Sequence, residues 1–234
     1  MIPYRFNPFE MDLLQRLTFK VYLNNQNFIM NRWPIIFWGD FDKSNKKKKV
    51  NDDYDDFENR DYNIYDIDLL GRYIYPKNQE GYIEIYGDRI HECALRISVN
   101  LNLDFQLTRS LLQSIVLLHE IGHWFSHYCF RDNLKHRMHI FPHQTKEIKE
   151  TIAQLSVLWS VLRLKNQRVN TLRLIMDFLA PRQSWEYNQF LLLGKKYSKT
   201  STILNRYVQL LDSENCDLNY LLLINKKMDP FRAF

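Results

Sequence analysis

A chain of 234 residues with 45% hydrophobic and 15% aromatic residues, but only 6 glycines and 7 prolines, is long enough to bury a sizeable core and too apolar to stay disordered. The formal charge is +5, yet the lysines and arginines are spread along the sequence rather than gathered on one basic helix, which weighs against a nucleic-acid partner. No run approaches the roughly 20 apolar residues of a membrane span, and the start "MIPYRFNPFEMD" lacks a signal-peptide pattern, so a cytoplasmic protein with no membrane partner is expected.

Helical spacing of Phe9, Leu13, Leu14, Leu17 and Val21 predicts an amphipathic helix over 9–23. The aromatic stretch "NRWPIIFWGDF" follows, and then "KSNKKKKVNDDYDDFENRD", in which a lysine block precedes an aspartate block. Adjacent blocks of opposite sign cancel at a distance, which predicts a charged, flexible loop at about 42–61. "GRYIYPKNQEGYIEIYGD" reads as a hairpin with strands Arg72 to Tyr75 and Tyr82 to Tyr86 around a polar turn. On the second strand Ile83 and Ile85 face one way, and Tyr82, Glu84 and Tyr86 the other. Asp88 is placed to cap a helix through Ile90, Ala94 and Ile97. Further helices are predicted from Thr108 to about Phe130, from about Thr145 to Leu164, and in "LRLIMDFLA", "YNQFLLLGKKY" and "TSTILNRYVQLLD". Cys93, Cys129 and Cys216 are odd in number, widely spaced and in no CxxC pair, which predicts free thiols. Without an internal repeat or a Gly/Ser linker, the expectation is a single domain over 1–234 of α+β class, mainly helical.

The informative stretch is "LLHEIGHWFSHYC", residues 117–129. On a helix His119 and His123 lie one turn apart on one face, the spacing that lets two imidazoles reach one metal ion, while Glu120 points to the side, within reach of a metal-bound water. Leu111, Leu112, Ile115, Val116, Leu117 and Leu118 make the preceding turns apolar all round, which predicts a buried helix. Burying three ionisable side chains without partners costs several kcal/mol, and a metal ion would offset that cost.

In its residues "VLLHEIGHWF" the chain resembles the active-site helix of the zincin metallopeptidases. The metzincin branch would continue HExxHxxGxxH, but Ser126 stands at the glycine and Cys129 at the third histidine. The gluzincin type takes its third ligand from a glutamate on a later helix, and "KEIKETIAQLSVLW" offers Glu147 and Glu150. Glu150 is the better match because it accompanies the apolar stripe of Ile148, Ile152, Leu155 and Trp159, whereas an acid at Glu147 is already explained by the helix dipole. Gln154, one turn on, is a candidate to support Glu150. His127, His136, His139 and His143 remain alternative ligands or substrate contacts, and Arg182 and Tyr187 are candidates to hold a developing oxyanion.

The resemblance implies a Zn2+ cofactor held by His119, His123 and Glu150, with Glu120 as general base and Tyr187 as a further catalytic candidate. It also implies a small antiparallel sheet packed on the motif helix, with "GYIEIY" at the edge that would take a substrate in extended form. The expected function is an intracellular zinc peptidase of narrow or regulatory specificity acting on a protein or peptide. The alternative is an inactive, metal-stabilised binding or regulatory protein. Nothing in the sequence fixes an oligomeric state.

Overall fold

The computed structural model describes residues 2–3, 5–11, 13, 34–41, 63–76, 81–128, 141–161 and 167–187. The described part is mostly helical, with one small mixed sheet. The loop at about 42–61, the helices expected beyond residue 187, Leu14, Leu17, Val21, Cys129, Cys216, His136 and His139 lie outside the described residues. At the start of the first predicted helix, Asn7 and Glu10 form a reciprocal cap. The Glu10 N–H donates to Asn7 Oδ1 and the Asn7 N–H to Glu10 Oε2, both at 2.9 Å, with Pro8 following the cap.

The sheet has strands β1 (Ile2–Pro3), β2 (Ile35–Gly39), β3 (Gly71–Ile74) and β4 (Tyr82–Tyr86), in the order β1-β2-β4-β3. The predicted hairpin is β3 and β4, antiparallel with Tyr73 opposite Ile83 and Arg72 opposite Glu84. Two expectations need correction. The sheet is mixed rather than antiparallel, because "IIFWG" forms β2 and runs parallel to β4 on the side away from β3. For the same reason "GYIEIY" is no edge: β4 is paired along both sides, and among the described residues the edge beside the hairpin is β3. Burial of both faces of β4 follows, and Glu84 is accommodated by bonds from Tyr86 Oη at 2.8 Å and Arg72 Nε at 3.3 Å.

Helix α1 (Gly87–Leu101) begins directly after β4 and ends at Asn102, whose φ of 51° is the left-handed cap conformation that asparagine tolerates. Asp88 does not cap it; the carboxylate lies in the first turn and accepts the Phe41 N–H at 3.0 and 3.2 Å. Helix α2 (Phe105–Tyr128) starts three residues before the predicted Thr108 because Asp104 supplies the cap, its Oδ1 accepting the Leu107 N–H at 2.7 Å. The apolar turns from Leu111 to Leu118 are buried as expected, and α2 is the central element, packed against α1, β3, β4, α3 (Lys146–Val161) and α4 (Gln167–Leu179). A one-turn 310 helix, Ala180–Arg182, follows α4, and another, Ile67–Leu69, precedes β3.

Two glycines let elements meet α2 closely. A Cβ at Gly71 would stand 2.7 Å from Val116 Cγ1, and one at Gly122 would stand 2.7 Å from Ser156 Oγ and 2.9 Å from Ala153 Cα. The second contact sets the distance between α2 and α3, and with it the site described below. Among the described residues no helix is long and apolar enough to cross a membrane.

Candidate metal centre

Helical spacing on α2 brings the two motif imidazoles together, with Nε2 to Nε2 at 3.1 Å. From α3, Glu150 Oε2 approaches to 3.0 Å of His119 Nε2 and 3.5 Å of His123 Nε2. His119, His123 and Glu150 are 0%, 6% and 3% exposed. Burial pushes the His119 imidazole down to about 4, with Glu150 opposing the shift, so it is neutral near pH 7. Burial by itself would raise the Glu150 carboxyl, but the charge of His123 and hydrogen bonds from both imidazoles hold it below its ordinary value.

These three atoms fit a metal. In a tetrahedral zinc site with bonds of about 2.0–2.1 Å, neighbouring donors stand about 3.3 Å apart, the spacing seen between these three. Two imidazole Nε2 atoms and a carboxylate oxygen converge on one point, a buried cluster of polar atoms that a cation would neutralise and bind. Two nitrogens and one oxygen suit a divalent first-row ion. Together with Asp68, the three form a group whose donor atoms lie within 4.8 Å of one another and which can hold a metal ion.

Glu120 is 0% exposed, and neither carboxylate oxygen has a hydrogen-bond partner. Burial, then the charges of Asp68 and Glu150, raise its pKa well above the ordinary range, while the Tyr73 backbone, facing it from β3, opposes the shift. A carboxylate in that setting is a strong proton acceptor.

Tyr187 is brought to the same place. Its ring centroid stands 6.3 Å from that of His119, and its buried Oη faces the Asp68 carboxylate. Burial, then Asp68 and Glu150, raise the phenol well above 10, which keeps it a protonated donor. Asp66 fixes the segment: it accepts the Ser184 N–H at 2.7 Å and the Ser184 hydroxyl at 2.5 Å, and the Tyr187 N–H then bonds Ser184 O at 3.0 Å.

Asp68 is the residue that reading the sequence missed. It sits on the 310 turn before β3, and Lys146 Nζ stands 3.4 Å from its Oδ2. Its one signal was an acid wedged among Ile67, Leu69 and Leu70 just ahead of the hairpin, which says nothing about which helix it will meet.

Other candidates lie elsewhere. Glu147 is half-buried and outside the donor group. Gln154 does not support Glu150; its Nε2 donates to Gln183 Oε1 at 3.2 Å. Arg182 is exposed, donating to Phe178 O at 2.8 Å and lying 3.7 Å over the Phe178 ring. His143 is exposed. His127 lies one turn past His123, its Nδ1 paired with Tyr73 Oη at 2.7 Å and its ring stacked on Phe141 at 4.8 Å. No protein-family model, curated protein or solved structure matches the chain.

Proposed function

We propose that this chain is a zinc-dependent peptidase of the zincin type, hydrolysing bonds in a protein or peptide substrate with narrow specificity. One observation supports the reading: Glu120, buried and without a close hydrogen bond or ion pair, lies beside three converging donor atoms. A centre that only held helices together gains nothing from such a glutamate, whose burial costs stability.

His119 and His123 would hold the ion through Nε2 and Glu150 through a carboxylate oxygen. When bound, zinc supplies a Lewis acid that polarises the scissile carbonyl and lowers the pKa of water toward about 7. Glu120 takes the proton of the attacking water on a carboxylate oxygen and passes it to the departing amine. Tyr187 Oη donates a hydrogen bond to the developing oxyanion. The burial of every one of these groups supports a restricted set of substrates. Cys93, a buried free thiol, supports a reducing, cytoplasmic setting.

The test is Glu120→Gln beside wild type, at equal measured zinc content, digesting a peptide library read by mass spectrometry. Wild type should cut a restricted set of bonds and the variant should lose about 10²- to 10⁴-fold in rate while keeping its zinc. Equal cleavage by the two proteins would remove Glu120 from the chemistry.

A further inference from the structure

We propose that Asp68 is a fourth protein donor of this centre, an internal carboxylate that a substrate has to displace from the metal ion. The proposal rests on the metal-centre reading above and goes on to say how the site is closed at rest.

Three donor atoms lie within 3.5 Å of one another, and the Asp68 carboxylate joins them within 4.8 Å. An ion held by the first three would have room for a further donor. His119 and Glu150 are nearly inaccessible, whereas the Asp68 and Lys146 side chains are 15% and 34% exposed. Asp68 therefore stands on the more exposed side of the group, where it would be that further donor.

Charge favours the same arrangement. Asp68, Glu120 and Glu150 are three mutually close carboxylates, and Lys146 is the ammonium bonded to Asp68. A divalent cation is the charge that this group needs to be stable away from water. Lys146 lies one turn before Glu150 on α3, so one helix face carries both a ligand and the counter-ion of the fourth donor. Lys146 and the metal then compete for Asp68. A substrate able to offer a carbonyl to the metal would displace the carboxylate, and Lys146 would hold the released Asp68.

The experiment uses the full chain, stripped of metal, in three forms: wild type, Asp68→Ala and Lys146→Met. Zn2+ affinity is read by competition with a chromophoric chelator, and access to the ion by azide titration of the Co2+ protein in visible absorption. Asp68→Ala should lower Zn2+ affinity about tenfold or more and tighten azide binding by a similar factor. Lys146→Met should do the opposite, because Asp68 is then free to ligate; the two signs distinguish a ligand from a general loss of structure. If Asp68→Ala leaves both readouts within about twofold of wild type, Asp68 is only the counter-ion of Lys146 and the proposal is overturned. Wild type that takes up neither ion would overturn the metal centre itself.

Discussion

At the scale of single residues, the groups assigned to chemistry are those that folding alone would have chosen differently. Both oxygens of Glu120 are buried without a close hydrogen bond, and such a group costs about 1–3 kcal/mol, more for a charged one, while Tyr187 Oη is buried facing the Asp68 carboxylate. Replacing Glu120 should therefore raise stability while lowering activity, the opposite of what a structural residue shows. Tyr187→Phe keeps the ring beside His119 and removes only the hydroxyl that faces Asp68. Its melting temperature should move little, since only the bond toward Asp68 is lost, while kcat should fall about 10²-fold with KM little changed, since the lost bond forms with an oxyanion. A clear fall in melting temperature would mean that the hydroxyl has a structural partner, and an unchanged kcat would remove Tyr187 from the reaction. The residues of this site differ in how far the sequence shows them. His119, Glu120 and His123 are legible because their relation is local, fixed by one helical turn. Glu150 is legible at one remove, through the apolar stripe of its helix. Asp68 is not, because its approach depends on where a 310 turn docks, anchored here by the Tyr86 N–H on Leu70 O at 2.8 Å.

Among elements, the same division between local and distant holds. The β3–β4 hairpin and helices α2 and α3 follow from periodicity read over a few turns. β2 does not, since five residues of "IIFWG" are too few to separate strand from helix, and its partner Tyr82–Tyr86 lies far along the chain in a parallel pairing. The position of α2 relative to α3 is likewise a distant matter, and it rests on Gly122. Substituting Gly122 by Ala sets two effects against each other. Helix propensity favours alanine by up to about 1 kcal/mol. The new Cβ would press on Ser156 Oγ at 2.7 Å and on Ala153 Cα, which is backbone and cannot turn aside, at 2.9 Å. Overpacking of that kind costs about 1–3 kcal/mol, so the clash wins. Glu150 lies on α3 one turn before Ala153, and pushing the helices apart lengthens its reach to both histidines. Gly122→Ala should lose both stability in urea and Zn2+ affinity; a variant more stable than wild type with full affinity would show that the crossing relaxes without cost.

For the whole molecule, a metal ion held by this donor group would be a cross-link, and its removal should be felt throughout the fold. A metal bound at His119, His123 and Glu150 ties α2 to α3, and a ligand at 1,000 times its dissociation constant stabilises the folded state by about 4 kcal/mol. In a chain of this size that is a fall of about 10 °C in melting temperature on chelation, restored by added Zn2+. Without metal, the acid limb of stability is set by histidines buried in neutral form. His127, away from the donor group, shows this most simply: burial, then the charge of Lys149, push it down to about 4 from an ordinary 6.5. Its surroundings are Tyr73, Tyr75 and Phe141, with Lys149 Nζ lying over the Tyr75 and Phe141 rings. The unfolded chain therefore binds a proton at His127 before the folded chain does. Stability is fully present above about pH 6.5 and declines as pH falls toward about 4, by about 3 kcal/mol over that interval for this one side chain. His127→Gln should flatten the decline by a similar amount, because the amide does not titrate. Urea midpoints in chelator at pH 7.5, 6 and 4.5 read the difference. Parallel curves for the two proteins would place the acid sensitivity in another group, while a smaller slope in the variant assigns it to His127.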